Sequence, residues 1–509
     1  MRKSTYGKAT VLILTCSVAA WAQTRPPAIR LTIDEVPILS LAAPSADFSD
    51  FPNISPTIDT ARESVSSWIV APGFSGYALA RSDLDGDRLP AAETVRVGDF
   101  MNAAESAGPE QAGDGPVLRL AAEAFPSPTR PGHHVLHVTL EARPLEPRSH
   151  RSTGFVAVVH SSESGLGAVQ AALEVLVDHL DQRDRLGFVA YAGRRRVVLE
   201  PESMAHRSEL KTALGNLGPS NSSDLEGDLL RAYEMMALHR NPYRSHQVLL
   251  FSDGVPDLRR DDRRERLLGL ARRQARQGVP LSVVSLGAAR ESAFLSQLAA
   301  SGDGHSFYAD HAAEARRLAS QELPRLPDLV ARDVRAQVAF DRLGVAHYRY
   351  LGPPGHQLSP ELFTEASANG GELSAGQCAA AVYEVRLTSR AVSGSAPLGE
   401  VRVRYATPEG ERRHLELALV SSAAGSSRAA RTWIAAAFAE KLADSFWARD
   451  TSYRRLLEAL GRLDPEVRTH PATAELAYLL RKAARLDRRL DLDADRLSTD
   501  RFARLRILE

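Results

Sequence analysis

The sequence predicts an α/β protein whose central domain, residues 146–326, is a doubly wound, mostly parallel Rossmann-like sheet. The first observation is a set of short apolar runs that read as buried strands, at residues 155–159, 186–191, 247–251 and 281–286. The second is that stretches with a helical period lie between these runs. Strands that alternate with helices place their loops at the carboxyl ends of the strands, where open α/β sheets bind ligands. We therefore expect a site at that edge.

The helical period is clearest after the first run. Its apolar residues are spaced by three and four positions, which places them on one helical face: Leu166, Val169, Leu173, Leu176 and Leu180. A second such stretch precedes Gly278, a residue type that commonly ends helices. Both stretches are long enough to connect parallel strands.

The flanking segments have other patterns. Residues 327–422 alternate apolar and polar positions, which predicts a β-rich domain, either an antiparallel sheet or a β-sandwich-like region. Residues 423–509 are rich in Ala, Leu, Arg and Asp at helical spacing and predict a C-terminal helical region. Residues 57–145 form an N-terminal segment that contains β-prone sequence. A chain of 509 residues accommodates several such domains.

Charge and cysteine content exclude several classes of protein. Lys plus Arg and Asp plus Glu both total 63, so no net field attracts the chain to a nucleic acid, and we expect no nucleic-acid partner. The 44% hydrophobic content is ordinary for a globular protein. Cys16 and Cys378 are too few for a zinc cage of cysteines or a framework of several disulfides.

The amino terminus predicts export. Arg2, Lys3 and Lys8 precede a short apolar run that ends in Ala20-Trp-Ala22, a pattern typical of a signal peptide over residues 1–22. Residues 23–56 then form a Pro-, Ala- and Ser-rich disordered linker. We expect a periplasmic, envelope-associated or secreted protein with no transmembrane segment after cleavage. A lipoprotein signal that uses Cys16 is the alternative.

Polar residues follow the predicted strands where a site is expected. His160-Ser-Ser-Glu-Ser164 follows the first strand, and Ser252-Asp-Gly254 follows a later one. Between them, a loop at 219–224 contains Ser223 and precedes a helix. This arrangement resembles the von Willebrand factor type A (VWA) domain, whose metal-ion-dependent adhesion site draws on these three loops.

Further segments extend the resemblance over most of the chain that follows the signal peptide. They resemble an exported bacterial VWA family with a characteristic N-terminal segment and a C-terminal domain of unknown function. The segments, in order, lie at 77–81, 89–90, 95–97, 101–102, 297–299, 302–308, 371–376, 381–384, 401–405, 444–445 and 452–453. Their combined order is more specific than any one motif.

The resemblance implies which residues occupy the adhesion site. Ser162, Ser164, Ser223 and Asp253 correspond to its metal-binding positions, whereas His160 stands where the family has aspartate. Because Mg²⁺ prefers carboxylate and hydroxyl oxygens, a neutral nitrogen donor at position 160 weakens the site. No cofactor is therefore expected, with Mg²⁺ as the alternative.

Three interpretations of this cluster remain open. Glu163 or water replaces the lost carboxylate and a metal still binds. Alternatively, protonated His160 lies near Asp253 and partly substitutes for the cation. In the third interpretation the pocket is polar and inactive.

Other chemistries have weaker signals. No Gly-x-Ser-x-Gly elbow supports a hydrolase, and Gln170 stands where a dinucleotide fingerprint that begins at Gly165 needs its third glycine. Residues 83–87 lack the spacing of a calcium loop. His133, His134 and His137 could be metal ligands, but in a strand His133 and His137 share one face and His134 points to the other. We expect them to be partly exposed strand residues instead.

The sequence thus favours an exported, noncatalytic interaction or scaffold protein, built on a VWA domain with a degenerate adhesion site. Its ligand would be a protein at the strand-end face. A functional Mg²⁺-dependent adhesion module is the alternative, and a hydrolase is a distant third.

Overall fold

We describe a computed structural model of the full chain. The structure describes residues 56–487 apart from 71–72, 74, 106–115, 145–151, 193–194, 221–223, 242–243, 255–260, 288–291, 310, 353–356, 366–369, 394–395 and 449–450. The predicted signal peptide, almost all of the linker, Cys16 and Ser223 lie outside the described residues. No described helix combines the length and apolar character needed to cross a bilayer.

The chain forms three consecutive groups of elements. The first group is β1 (Ile58–Asp59), β2 (Val65–Ile69), α1 (Ser75–Asp85), α2 (Val97–Glu105), β3 (Leu118–Pro126) and β4 (His134–Ala142). The second is β5 (Thr153–His160), α3 (Glu163–His179), β6 (Arg185–Ala192), β7 (Arg195–Ser203), α4 (Arg207–Gly215), α5 (Leu225–Leu238), β8 (Ser245–Ser252), α6 (Asp261–Arg276), β9 (Leu281–Leu286), α7 (Ser292–Ser301), β10 (Ser306–Ala309) and α8 (Ala312–Gln321). The third is β11 (Leu329–Phe340), β12 (Val345–Tyr350), β13 (Gln357–Leu358), β14 (Gly371–Ser374), β15 (Cys378–Leu387), α9 (Ser389–Val392), β16 (Gly399–Ala406), β17 (Arg412–Ala418), α10 (Ser427–Leu442), α11 (Tyr453–Gly461), α12 (Pro465–Thr469) and α13 (Pro471–Leu486).

The second group is the predicted doubly wound domain. Its sheet has the order β10-β9-β8-β5-β6-β7, and every pair is parallel except β6 with β7. Side chains of β5 alternate between two cores: Phe155 and Val159 pack with α3, α4 and α8, whereas Val156 and Val158 pack with α5, α6 and α7. Burial on both faces explains the continuous apolar runs in the sequence. The predicted fold class is confirmed.

The first and third groups, which precede and follow this domain in the sequence, together build a β-sandwich. One sheet has the order β1-β12-β15-β4-β3, and the other has β13-β2-β11-β16-β17 with β14 beside β11. All their pairs are antiparallel. The sheets share one core, in which the Tyr383 ring lies 5.8 Å from Trp68 and 5.2 Å from Tyr350. The doubly wound domain is therefore an insertion between β4 and β11.

A helical layer covers the outer face of the first of these sheets. Phe100 of α2 packs edge-on against Phe438 of α10, and both belong to a core that includes Val135 and Val382 from β4 and β15. The helices of the first group and those at the end of the chain thus share one core. An apolar sheet face needs such a cover to leave water.

A buried ion pair crosses from this helical layer to the sheet. His137 of β4 lies 2.8 Å from Glu105 of α2, and Arg428 of α10 lies 2.6 Å from the other Glu105 oxygen. Although burial alone would lower it, the pKa of His137 rises to about 9 because Glu105 and Glu123 stabilise its charge. His137 is only 3% exposed, so the expectation of a partly exposed histidine is wrong here. The reason is that α2 and α10 cover this face.

The inserted domain is attached to its surroundings at two places. Arg81 of α1 lies 3.2 Å from Glu314 of α8 and 3.3 Å from Glu475 of α13, and so joins three parts of the chain. At the amino-terminal edge of the parallel sheet, the Ser374 hydroxyl donates to the Leu326 carbonyl at 3.1 Å. Edge strand β10, which contacts α1, is three strands away from β5. Glu314 lies in the first turn of α8, the helix that packs against α3.

We expect His137→Gln to destabilise the protein by about 3 kcal/mol at pH 6, because it leaves the buried Glu105 carboxylate with one cation fewer. The raised pKa of His137 contributes stability that is complete below pH 6.5 and is lost as the pH rises through about 9. The deficit of the variant should therefore shrink by pH 10. Urea unfolding at pH 6, 8 and 10 measures it. The control, His179→Gln at an exposed position, should show no such trend, and an equal deficit at every pH would contradict the assignment.

Candidate functional site

The carboxyl ends of β5 and β8 bring three of the predicted residues together. His160 is in register with Ser252 in neighbouring parallel strands, so the residues that follow each strand meet. The Ser162 amide donates to both Asp253 carboxylate oxygens at 2.9 and 3.0 Å, and the Ser162 hydroxyl also donates to Asp253. The Ser162 and Ser164 hydroxyls are 2.9 Å apart. Ser223, from the second loop, lies outside the described residues.

Close packing of the first turn of α3 explains one glycine of the motif. A Cβ atom on Gly165 would lie 2.4 Å from the Ser161 hydroxyl and 2.7 Å from an Asp253 oxygen. The glycine therefore permits the approach of α3 to Asp253. Nothing lies within 4 Å of such an atom on Gly167, and Gln170 donates to carbonyls beside α4, so these two residues have no part in the site.

His160 is paired with an acidic residue that sequence reasoning did not identify. Its side chain is buried, and its Nδ1 lies 3.5 Å from Oδ2 of Asp228, in the first turn of α5. Asp228 is fully buried, accepts a hydrogen bond from the Tyr191 hydroxyl at 2.9 Å and lies 2.9 Å from Nη2 of Arg196. A sequence signal was present, because Asp228 lies between Leu225 and Leu229 on the apolar face of α5.

This network brings the positive charge of Arg196, an exposed residue, to the buried Asp228 carboxylate. A buried carboxylate is costly unless a cation or hydrogen bonds compensate it, and Asp228 has Arg196, Tyr191 and His160 as partners. Arg196 also lies 3.4 Å from Asp224, which caps α5. The network joins β5, β6, β7 and α5, the elements that border the site.

The described residues fit a magnesium ion poorly. Position 160 contributes a nitrogen, and the carboxylate nearest to it, Asp228, is already paired with Arg196. Asp253 is hydrogen-bonded to Ser162, and Glu163 is exposed at the start of α3. A hard cation needs several oxygen ligands in a defined geometry.

The same geometry bears on a hydrolytic mechanism. A serine nucleophile needs a base within hydrogen-bond reach of its hydroxyl. Among the described residues, the His160 side chain contacts Asp228, and no hydrogen bond links it to the hydroxyl of Ser162 or of Ser164.

The other metal candidates from the sequence have protein partners. Asp83 lies 3.0 Å from Arg88, and Asp87 lies 2.6 Å from Lys482, so cationic side chains of the protein itself meet the acidic turn at residues 83–87. His137 is engaged by Glu105, as described above.

Comparison with known families agrees with the topology. The von Willebrand factor type A domain family matches residues 156–321, and a second family, described as the C-terminal part of the uncharacterized protein YfbK, matches residues 328–486. The chain therefore carries a VWA domain followed by a YfbK-type C-terminal domain, which agrees with the predicted VWA domain and C-terminal domain of unknown function.

Individual relatives show the same likeness. The uncharacterized protein YfbK of Escherichia coli (strain K12) is 24% identical over 431 residues, which cover 79% of this chain and 75% of that protein. A von Willebrand factor type A structure from Catenulispora acidiphila covers 72% of this chain and 87% of its own at 14% identity, with a TM-score of 0.42. The ArnB paralog VWA2 from Sulfolobus acidocaldarius covers 72% and 98% at 12% identity, with a TM-score of 0.36.

We expect Asp228→Asn to destabilise the protein by about 2 kcal/mol, because it takes the charged acceptor from the Tyr191 hydroxyl and from His160 and leaves Arg196 with Asp224 alone. The matched control is Glu234→Gln on the same helix, where the carboxylate is 64% exposed and the change should stay within about 0.5 kcal/mol. Urea unfolding of both variants measures the difference. Equal effects would show that the Asp228 network contributes nothing.

Proposed function

We propose that this protein is an exported, noncatalytic interaction or scaffold protein whose VWA domain binds a protein partner without a metal ion. The observation that carries the proposal is the pairing of the buried Asp228 carboxylate with buried His160 and with Arg196, an exposed residue whose guanidinium reaches inward from the surface. It supports a site in which an internal cation takes the place that a divalent ion would have in the related domains.

The charges of the site support a function that needs no metal ion. Replacing the expected aspartate by His160 removes a carboxylate from β5, and Asp228 brings one into the same region from α5. That carboxylate is compensated by Arg196 and by the Tyr191 hydroxyl. Because the positive charge is already part of the protein, folding of the site does not require an ion.

The position of the site supports binding rather than catalysis. Ser162 and Ser164 are exposed at the end of β5, on loops held by a rigid parallel sheet. Loops on such a scaffold commonly carry binding functions. Neither serine is joined to a histidine base within the described residues. The contacts of Arg81 with Glu314 and of Ser374 with Leu326 involve neither Ser162 nor Ser164, and both serines remain exposed.

Export rests on the amino-terminal sequence. The basic residues, the apolar run and Ala20-Trp-Ala22 support cleavage before Gln23 and a periplasmic, envelope-associated or secreted location. Expression in a Gram-negative host should yield a processed chain outside the cytoplasm whose first residue is Gln23, as measured by mass spectrometry of the periplasmic fraction. A chain that keeps its leader, or a lipid on Cys16, would contradict this assignment.

A thermal-shift experiment on the mature full chain tests metal independence. We expect 10 mM Mg²⁺ or Mn²⁺, compared with chelator, to leave the midpoint of the wild-type protein unchanged. The His160→Asp variant should instead gain stability with either ion, because two neighbouring buried carboxylates repel each other and a bound cation relieves the repulsion. A saturable shift in the wild type that disappears in Asp253→Ala would establish the alternative, a Mg²⁺-dependent adhesion module.

A further inference from the structure

We propose that the strand-end face recognises a basic side chain, lysine or arginine, on the protein partner, with Asp253 as the residue that receives it. The inference rests on the proposed metal-independent function and adds the chemistry of the partner. It follows from the distribution of charge among the described residues of the site.

Among the described residues, no cationic side chain pairs with the Asp253 carboxylate. Its partners in the described part of the chain are neutral donors: the Ser162 amide and the hydroxyls of Ser162 and Ser161. Asp253 is partly exposed, and Glu163, the first residue of α3, is exposed. The negative charge of Asp253 is therefore still available to a ligand.

Arg196 does not compensate this charge. Its Nη2 lies 2.9 Å from Asp228 and 3.4 Å from Asp224, so its charge is already shared by two carboxylates. Asp224 is 62% exposed and borders the face. An acidic partner that approached Arg196 would meet Asp224 as well, and the repulsion between like charges disfavours such an interface.

This charge distribution makes the face bind a basic group in preference to an acidic one. A partner that covers Asp253 removes water from its carboxylate, and the cost is recovered only if a cation with N–H donors replaces the water. A divalent ion at this place would reverse the preference, because the exposed positive charge would then select an acidic group. Without the ion, the carboxylate and the two serine hydroxyl oxygens offer acceptors to an ammonium or guanidinium group.

Selection of a random peptide library displayed on phage tests the inference. The target is the mature full chain, immobilised either in chelator or in 5 mM Mg²⁺. Enriched peptides are synthesised, and their affinities are measured for wild type and for Asp253→Asn. We expect peptides with lysine or arginine, the same affinity in both buffers, and binding at least about tenfold weaker to Asp253→Asn.

Two further variants keep the result interpretable. Glu163→Gln removes a charge from the same face without touching the hydrogen bonds of Asp253, and it should weaken basic peptides about two- to threefold even if Asp253→Asn folds poorly. Glu174→Gln removes the same charge from an exposed position further along α3 and should leave the affinity unchanged.

Other outcomes separate the two proposals. Acidic peptides that bind only with Mg²⁺ would overturn both the metal-independent function and this inference. Acidic peptides that bind in chelator would overturn only the inference. Peptides whose affinity does not depend on Asp253 or Glu163 would also overturn it.

Discussion

The pairing of strands from the two ends of the chain is the constraint on which the rest of the structure depends. β4 pairs with β15 over eight residues, and β2 pairs with β11 over five, so the sandwich closes only when segments on either side of the VWA domain meet. The insertion must therefore begin and end near the same place. A doubly wound domain satisfies this requirement, because it begins with a strand and ends with a helix that runs back to the edge where that strand starts. Its opposite edge then carries the loops.

In two parts of the molecule, a buried carboxylate is paired with a histidine and an arginine. At the helical layer, Glu105 is buried and held by His137 and Arg428, and at the strand-end site Asp228 is buried and held by Arg196 and His160. In each case a carboxylate from a helix meets a histidine from a strand. The difference lies beside the second network, where Asp253 keeps a carboxylate that no internal cation balances within the described residues. This contrast separates a structural ion pair from a surface that can accept a ligand.

Much of the fold and part of the site could be predicted from the sequence. The apolar runs identified β5, β6, β8 and β9, because strands buried on both faces are apolar at consecutive positions. The motif after β5 identified Ser162, Ser164 and Asp253, which the structure brings within hydrogen-bond reach. Asp228 was not predicted. Its helical position was visible in the sequence, but its partners come from β5, β6 and β7, which are distant along the chain.

The sequence by itself determined the alternation of strands and helices in the VWA domain, the polar residues that follow the strands, and the presence of His160 at the end of the first of them. These features depend on residue type and on periodicity over a few residues, so a short stretch of sequence is enough to show them. Only the tertiary structure decided that residues 58–142 and 329–418 share one sandwich, that His137 is buried, and that the carboxylate beside His160 is Asp228. Contacts between distant segments depend on how whole elements pack, and no local pattern specifies them.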